Sequence, residues 1–144
     1  METDGDPSFD SLRADIVLRN RRRDAQARER KFTMAVFGIL AYSAFANGQG
    51  SLLLLGASPI DAAISFVLAV LYAFGAYRAW FKDDTRWWPV AIPAGLTIGL
   101  LGLAALAGVF RPIPLLLNIA LLVLVPLRSR AVAASDALSP RVEA

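Results

Sequence analysis

The stretch PVAIPAGLTIGLLGLAALAGVFRPIPLLLNIALLVLVPL, residues 89–127, is 39 residues long and contains a single charge, Arg111. An apolar segment lies on each side of Arg111. Each is long enough, or nearly so, to cross the ~30 Å hydrocarbon core of a bilayer as a helix. The short sequence Arg111-Pro112-Ile113-Pro114 supplies the turn between them. The stretch therefore predicts a membrane hairpin with spans at about 89–110 and 112–127.

The preceding part of the chain predicts a second, looser hairpin, with spans at about 32–47 and 59–78. Asn47-Gly48-Gln49-Gly50 predicts the end of the first of these helices, because Asn and Gly favour the left-handed position after a helix C-terminus. Ser51–Leu55 is apolar but too short to span, so it is expected to dip into the interface or to pack over the other helices. The predicted fold class is all-α, a polytopic membrane protein with four transmembrane helices in two hairpins. The similar starts Pro59-Ile60 and Pro112-Ile113 suggest the hypothesis that the hairpins are duplicates.

Charged segments flank the predicted membrane domain, which covers residues 32–128. Residues 1–31 are predicted to be a cytoplasmic segment with a basic juxtamembrane helix at 11–31, and residues 129–144 a flexible cytoplasmic tail. A cleaved signal peptide is disfavoured because the charged region is longer than an ordinary n-region. Basic side chains near span ends are expected to meet anionic lipid headgroups, each contributing about 1 kcal/mol. These residues are Arg19, Arg21, Arg22, Arg23, Arg30, Lys31, Arg78, Arg128 and Arg130.

The distribution of positive charge predicts the orientation of the chain. With four spans, 14 Lys and Arg residues fall on one side of the membrane and Arg111 alone falls on the other. Positively charged loops remain in the cytoplasm. Both termini are therefore expected there, in a protein integral to a bacterial plasma membrane. Trp80, Trp87 and Trp88 are expected to lie at the interface, where aromatic belts occur.

A stripe of small residues runs along the third predicted span. Ala91, Gly95, Gly99 and Gly102 recur at three- or four-residue spacing, and Gly95 and Gly99 form a GxxxG pattern. Small residues allow another helix to approach closely in a membrane. We predict that this face is buried against protein. An internal contact is favoured over a second subunit, because four spans can pack against each other.

Asp61 and Asn118 are the two candidates for an ion-binding or polar site within the predicted spans. Ser58-Pro59-Ile60-Asp61 fits a capping box, in which Ser58 is the N-cap and Asp61 reaches back to the helix start. We favour this capping role for Asp61 over a role in ion or proton coupling. Asn118 is the only amide deep in the last span, and an interhelical hydrogen bond is a more common role there than ligand binding.

The composition argues against most catalytic chemistry. The sequence contains neither cysteine nor histidine, which excludes thiolate nucleophiles, disulfides and the most common metal ligand. We find no nucleotide-binding loop, metal-ligand cluster or paired-carboxylate motif. A nucleic-acid-binding role for the basic segment is disfavoured, because basic runs beside membrane helices usually set topology. No enzymatic activity, cofactor or metal is therefore expected.

The sequence favours a small, non-enzymatic accessory or scaffold subunit that packs with itself or with a larger membrane protein in an anionic bilayer. The alternative is a small oligomeric channel or transporter in which Asp61 and Asn118 face a pore. A membrane enzyme is third, because acid–base groups are nearly absent from the apolar segments.

Overall fold

The computed structural model describes residues 7–82 and 86–138, and these residues form four helices without any strand. They are α1 (Pro7–Leu54), α2 (Pro59–Phe81), α3 (Trp88–Leu106) and α4 (Pro112–Leu138). The predicted all-α fold class is confirmed at this level. Three of the helices, α2, α3 and α4, are long and apolar enough to cross a membrane. These three helices indicate that the protein associates with a membrane.

The four helices form a ring in which each lies beside two others. The most extensive contacts join α1 to α2, followed by α1 to α4, while α3 packs against α2 and α4. Short connections join α1 to α2 and α3 to α4 at one end of the bundle, which we call the distal end. The end of α2, the start of α3 and the last part of α4 lie at the opposite, proximal end.

The predicted helix stop at Asn47–Gly50 is wrong, because α1 continues without a break to Leu54. The Asn47 amide Nδ2 donates to the Ser43 carbonyl oxygen at 2.8 Å, one turn back in the same helix. The segment expected to dip into the interface or to pack over the other helices instead forms the last turn of α1, in which Ser51 is buried and Leu52 and Leu53 are exposed. Tertiary packing against α2 thus overrides weak local stop signals. Because α1 contains many polar residues, it is not among the helices that are long and apolar enough to cross a membrane.

The other helix ends also differ from the prediction. The third helix ends at Leu106 because Gly108 adopts φ 84°, in the left-handed region. Val109 N–H donates to the Ala104 carbonyl at 2.8 Å and Gly108 N–H to the Ala105 carbonyl at 3.0 Å. This pair of bonds is the Schellman motif, which satisfies the last carbonyls of a helix.

The helices at the two ends extend beyond the predicted membrane domain. The first helix begins at Pro7, a residue type suited to the first helical position, and includes the predicted juxtamembrane helix at 11–31. The fourth helix continues to Leu138, so residues 129–138 of the predicted tail are helical. The remaining parts of the two predicted flanks, residues 1–6 and 139–144, lie outside the described residues.

The tightly packed core occupies the middle of the bundle and its proximal half. Its largest fully buried side chains, Leu40, Tyr72 and Leu121, have 0% exposure. Around them pack side chains from all four helices: Val36, Leu68, Ala76, Ala79, Val90, Ala94 and Val125. The distal half of the bundle is less densely filled, and the candidate site lies there.

Candidate functional site: a cavity with a polar floor

A cavity of about 770 Å³ lies inside the distal half of the bundle. All four helices contribute to its lining, and its outermost residues come from the ends of α1 and α3 and the starts of α2 and α4. The cavity therefore opens at the distal end. The deepest polar side chains that line it are Tyr72 of α2, Thr97 of α3 and Asn118 of α4.

These three side chains form a hydrogen-bonded cluster, which we call the polar floor. The Tyr72 hydroxyl lies 2.7 Å from Thr97 Oγ1 and 3.2 Å from the Pro93 carbonyl oxygen, and it donates to Asn118 Oδ1. Asn118 Nδ2 donates to the Pro114 carbonyl oxygen at 2.7 Å, one turn back along α4. A single phenol group thus joins α2 to both α3 and α4.

The protons of the polar floor can be assigned. Tyr72 has one hydroxyl proton, and its bond to the amide oxygen Asn118 Oδ1 uses it. The short contact with Thr97 then requires the threonine hydroxyl to donate to the Tyr72 oxygen. One of the two N–H bonds of Asn118 Nδ2 goes to Pro114, which leaves the other without an assigned acceptor. Asn118 is 2% exposed, so this donor is buried.

The sequence-based expectation for Asn118 was an interhelical hydrogen bond, and its bond with Tyr72 is one. The expectation did not identify the partner. Tyr72 is completely buried, as a packing residue would be, and its hydroxyl provides the interhelical bond. Its position on the face of α2 that carries Leu68 and Ala76 could have indicated this burial, since residues four apart share a helix face.

Between the polar floor and the opening, the cavity walls are mainly apolar. Leu68, Leu101, Ala104 and Leu117 line this region, with Ser43 and Ser65 as polar interruptions. The mouth carries one charge of each sign, from the exposed residues Asp61 and Arg111. The cavity therefore changes in character along its depth, from a charged mouth through apolar walls to an uncharged polar floor.

The capping interpretation of Asp61 is only partly correct. Ser58 is the N-cap of α2 and Pro59 follows at the first helical position, as predicted, but no side chain forms a capping hydrogen bond. The Ser58 backbone explains the difference: its N–H donates to the Leu54 carbonyl at 2.8 Å, which leaves no free Ser58 N–H for Asp61 to cap. Asp61 lines the mouth of the cavity instead.

The cavity is closed at its inner end. Beneath the polar floor, Leu40 of α1, Ala94 of α3 and Leu121 of α4 are each 0% exposed. These fully buried side chains separate the polar floor from the proximal half of the bundle.

A close backbone contact sets the position of α3 relative to α2. A Cβ atom on Gly75 would lie 2.7 Å from the Pro89 carbonyl oxygen, so only glycine fits there. That carbonyl lacks its usual helical donor because residue 93 is proline and has no N–H. The contact brings the first turn of α3 against α2 and leaves the distal part of α3 beside the cavity. No local pattern in the sequence around Gly75 indicates this role.

Arg128 does not meet lipid headgroups as predicted, because its side chain is only 5% exposed. Its Nε donates to Thr33 Oγ1 at 3.1 Å and its Nη2 donates to the Ala79 carbonyl oxygen at 2.9 Å. Arg128 thus ties α4 to α1 and α2 at the proximal end. Its aliphatic stem and planar donor group allow this inward bridge.

The other predicted headgroup residues occupy two kinds of environment. Arg22 and Arg78 are half-buried, and the Arg78 guanidinium carbon lies 5.7 Å from the centre of the Phe74 ring. Six are exposed near the proximal end, and their contact with lipid stays a prediction: Arg19, Arg21, Arg23, Arg30, Lys31 and Arg130.

The small-residue stripe on α3 does not form the expected internal contact. Gly95, Gly99 and Gly102 are exposed, and a Cβ atom on any of them would have no neighbouring atom within 4 Å. The internal contacts of α3 use the opposite face, including Ala94 and Thr97. The role of the stripe in helix packing therefore stays a prediction.

Comparisons with known proteins give no match to this chain among family models, curated proteins or solved structures. Among the described residues, no group of three or more His, Cys, Asp or Glu side chains is placed to hold a metal ion.

Proposed function

We propose that this chain is a four-span integral membrane protein with both termini in the cytoplasm. Support for the fourth span comes from α1, whose residues 32–54 lie along the apolar helix α2 and therefore at the same depth in the bilayer. At 23 residues, this part of α1 is about 34 Å long, sufficient to cross the ~30 Å core. The strong excess of Lys and Arg at the proximal end supports its cytoplasmic location.

Within that topology, we propose that the chain is a non-enzymatic accessory or scaffold subunit. The observation that carries this proposal is the open small-residue face of α3, formed by Gly95, Gly99 and Gly102. In lipid, helices associate through close packing and weak backbone contacts instead of a hydrophobic driving force. An unoccupied face of this kind favours a helix of a second copy or of a larger membrane protein.

Gly99→Leu tests this proposal. The leucine side chain would keep a partner helix away from α3, and we expect at least a tenfold weaker association, about 1.4 kcal/mol. The fold of the chain itself should be unaffected, because the space around Gly99 is open. Native mass spectrometry from mild detergent measures the assembly, and resistance to thermal unfolding measures the fold.

The matched control is Ala73→Leu, which adds similar bulk at an exposed position of α2. This position lies on a different helix from the small-residue face of α3. The proposal expects assembly to survive in this control. A wild-type protein that purifies as an isolated monomer, or an assembly that tolerates Gly99→Leu, would contradict the scaffold role.

The alternative function, an oligomeric channel or transporter, is favoured by one observation: Asp61 and Asn118 line the same cavity. Passage through the bundle would require separation of Leu40 from Leu121 beneath the polar floor. The chain offers no charged side chain in that layer to assist an ion. The accessory role is therefore the leading proposal, and transport would require a second conformation.

A further inference from the structure

We propose that the distal cavity is a binding site for a neutral, mainly apolar molecule with a hydroxyl or carbonyl oxygen at its inner end. This inference goes beyond the scaffold role, and it concerns a different surface: the cavity lies inside the bundle, whereas the small-residue face of α3 points outward. It rests on the shape of the cavity and on the chemistry of its floor, walls and mouth.

The size of the cavity suits a small organic ligand. Its volume of about 770 Å³ falls within the range of roughly 300–1,000 Å³ that is typical of ligand pockets. Asn118 lies seven residues after Arg111, which corresponds to a depth of about 10 Å along α4. An elongated molecule can therefore extend from the mouth to the polar floor.

The polar floor selects the inner end of the ligand. One N–H of Asn118 has no assigned acceptor, and Thr97 Oγ1 keeps lone-pair capacity after its bond with Tyr72. A hydroxyl group can accept from the first and donate to the second. A carbonyl oxygen can accept from Asn118 alone. A hydroxyl group thus gives a further partner to both Asn118 and Thr97, whereas a carbonyl oxygen gives one to Asn118.

The charge distribution favours a ligand without net charge. The side chains of the polar floor are all uncharged, so an ion there would lose its hydration without gaining a counter-charge. At the mouth, Asp61 and Arg111 have opposite charges, which favour neither an anion nor a cation. A molecule with a charged inner end is therefore excluded.

The walls argue for an apolar body and against a cavity filled by water alone. Leu68, Leu101 and Leu117 present aliphatic surface between the floor and the mouth. A buried water needs two to four polar partners, and these walls provide few. Transfer of apolar ligand surface from water into such walls is favourable by about 25 cal/mol per Å².

The test uses farnesol, an elongated neutral alcohol, as the probe. A diazirine derivative of farnesol is photoactivated with the purified, full-length protein in lipid nanodiscs, and labelled peptides are identified by mass spectrometry. Three unlabelled competitors are compared: farnesol, the hydrocarbon farnesane and the cation farnesylamine. Leu101→Trp fills the cavity from its wall, and Leu103→Trp adds the same bulk to the exposed side of α3 as a control.

We expect labelling of peptides that contain Leu68, Thr97 or Asn118, and at least a tenfold reduction in Leu101→Trp but not in Leu103→Trp. Unlabelled farnesol should compete at least tenfold better than farnesane or farnesylamine. Labelling that persists in a folded Leu101→Trp variant would overturn the proposal. Equal competition by farnesane would also overturn it, because the floor oxygen would then contribute nothing.

A further arm identifies the source of the ligand. Farnesol partitions into the bilayer, whereas the short alcohol prenol remains largely in water. Competition by farnesol alone supports a membrane-borne alcohol, and competition by both supports a ligand that enters from the aqueous side. Failure of both alcohols to compete would contradict the neutral-alcohol class. None of these outcomes depends on association through Gly99, so this proposal and the scaffold role can fail independently.

Discussion

Gly75→Ala is expected to lower the free energy of unfolding by about 1–3 kcal/mol, the usual cost of forcing extra volume into a packed contact. The added Cβ would lie 2.7 Å from the Pro89 carbonyl oxygen. That oxygen belongs to the backbone, so it cannot rotate away as the end of a flexible side chain could. Helices α2 and α3 would have to separate. Unfolding in detergent, followed by tryptophan fluorescence or circular dichroism, measures the effect.

Gly38→Ala is the matched control for this prediction. Gly38 also lies inside a helix, but a Cβ atom there would meet no atom within 4 Å. Alanine is a better helix former than glycine by up to about 1 kcal/mol, so this variant should be as stable as the wild type or slightly more stable. If both variants unfold alike, the close contact between α2 and α3 does not hold the bundle together.

Tyr72→Phe is expected to cost about 1–3 kcal/mol, because Asn118 Oδ1 and Thr97 Oγ1 lose their common partner while they stay buried. This is more than the ~0.6 kcal/mol average for a single interhelical hydrogen bond in a membrane protein. The larger value follows from one hydroxyl serving two neighbouring helices. The same unfolding measurement in detergent applies.

Tyr77→Phe provides the comparison on the same helix. Tyr77 is 49% exposed, and removal of its hydroxyl should leave stability unchanged within about 0.5 kcal/mol. Combining Tyr72→Phe with Thr97→Val should then cost less than the sum of the two single changes, because both remove the same hydrogen bond. Strict additivity would show that the two side chains do not interact.

The sequence was sufficient to predict the helical class and the approximate position of each apolar helix. Apolar length and the positions of Pro59, Pro89 and Pro112 are local properties, and the apolar segments themselves contain few charges. Helix ends were predicted less well. Gly108 ends α3 because one residue adopts a left-handed conformation, whereas Gly48 and Gly50 lie within α1, where packing against α2 sustains the helix.

The cavity and the two side chains that bridge helices, Tyr72 and Arg128, could not be predicted from local sequence patterns. Periodicity indicates that Tyr72, Thr97 and Asn118 are on helices, but not that three helices bring them within hydrogen-bonding distance. Arg128 is equally hard to predict. An arginine beside a span is expected to reach lipid headgroups, but Thr33 and Ala79 are placed so that Arg128 points inward and bonds to both. The glycine stripe of α3 was expected to form an internal contact, because four spans can pack against each other. Composition does not reveal which face of a helix a neighbour covers.

The most direct test of the account is the accessibility of single cysteines in intact cells, since the native chain has none. Gly56→Cys and Arg111→Cys place thiols at exposed positions of the distal end, and Lys82→Cys and Ala137→Cys place them at exposed positions of the proximal end. A membrane-impermeant maleimide should label the first two in intact cells and the last two only after permeabilisation. If Gly56 and Arg111 are labelled on opposite sides of the membrane, or Ala137 reacts from outside, the four-span bundle with cytoplasmic termini is contradicted.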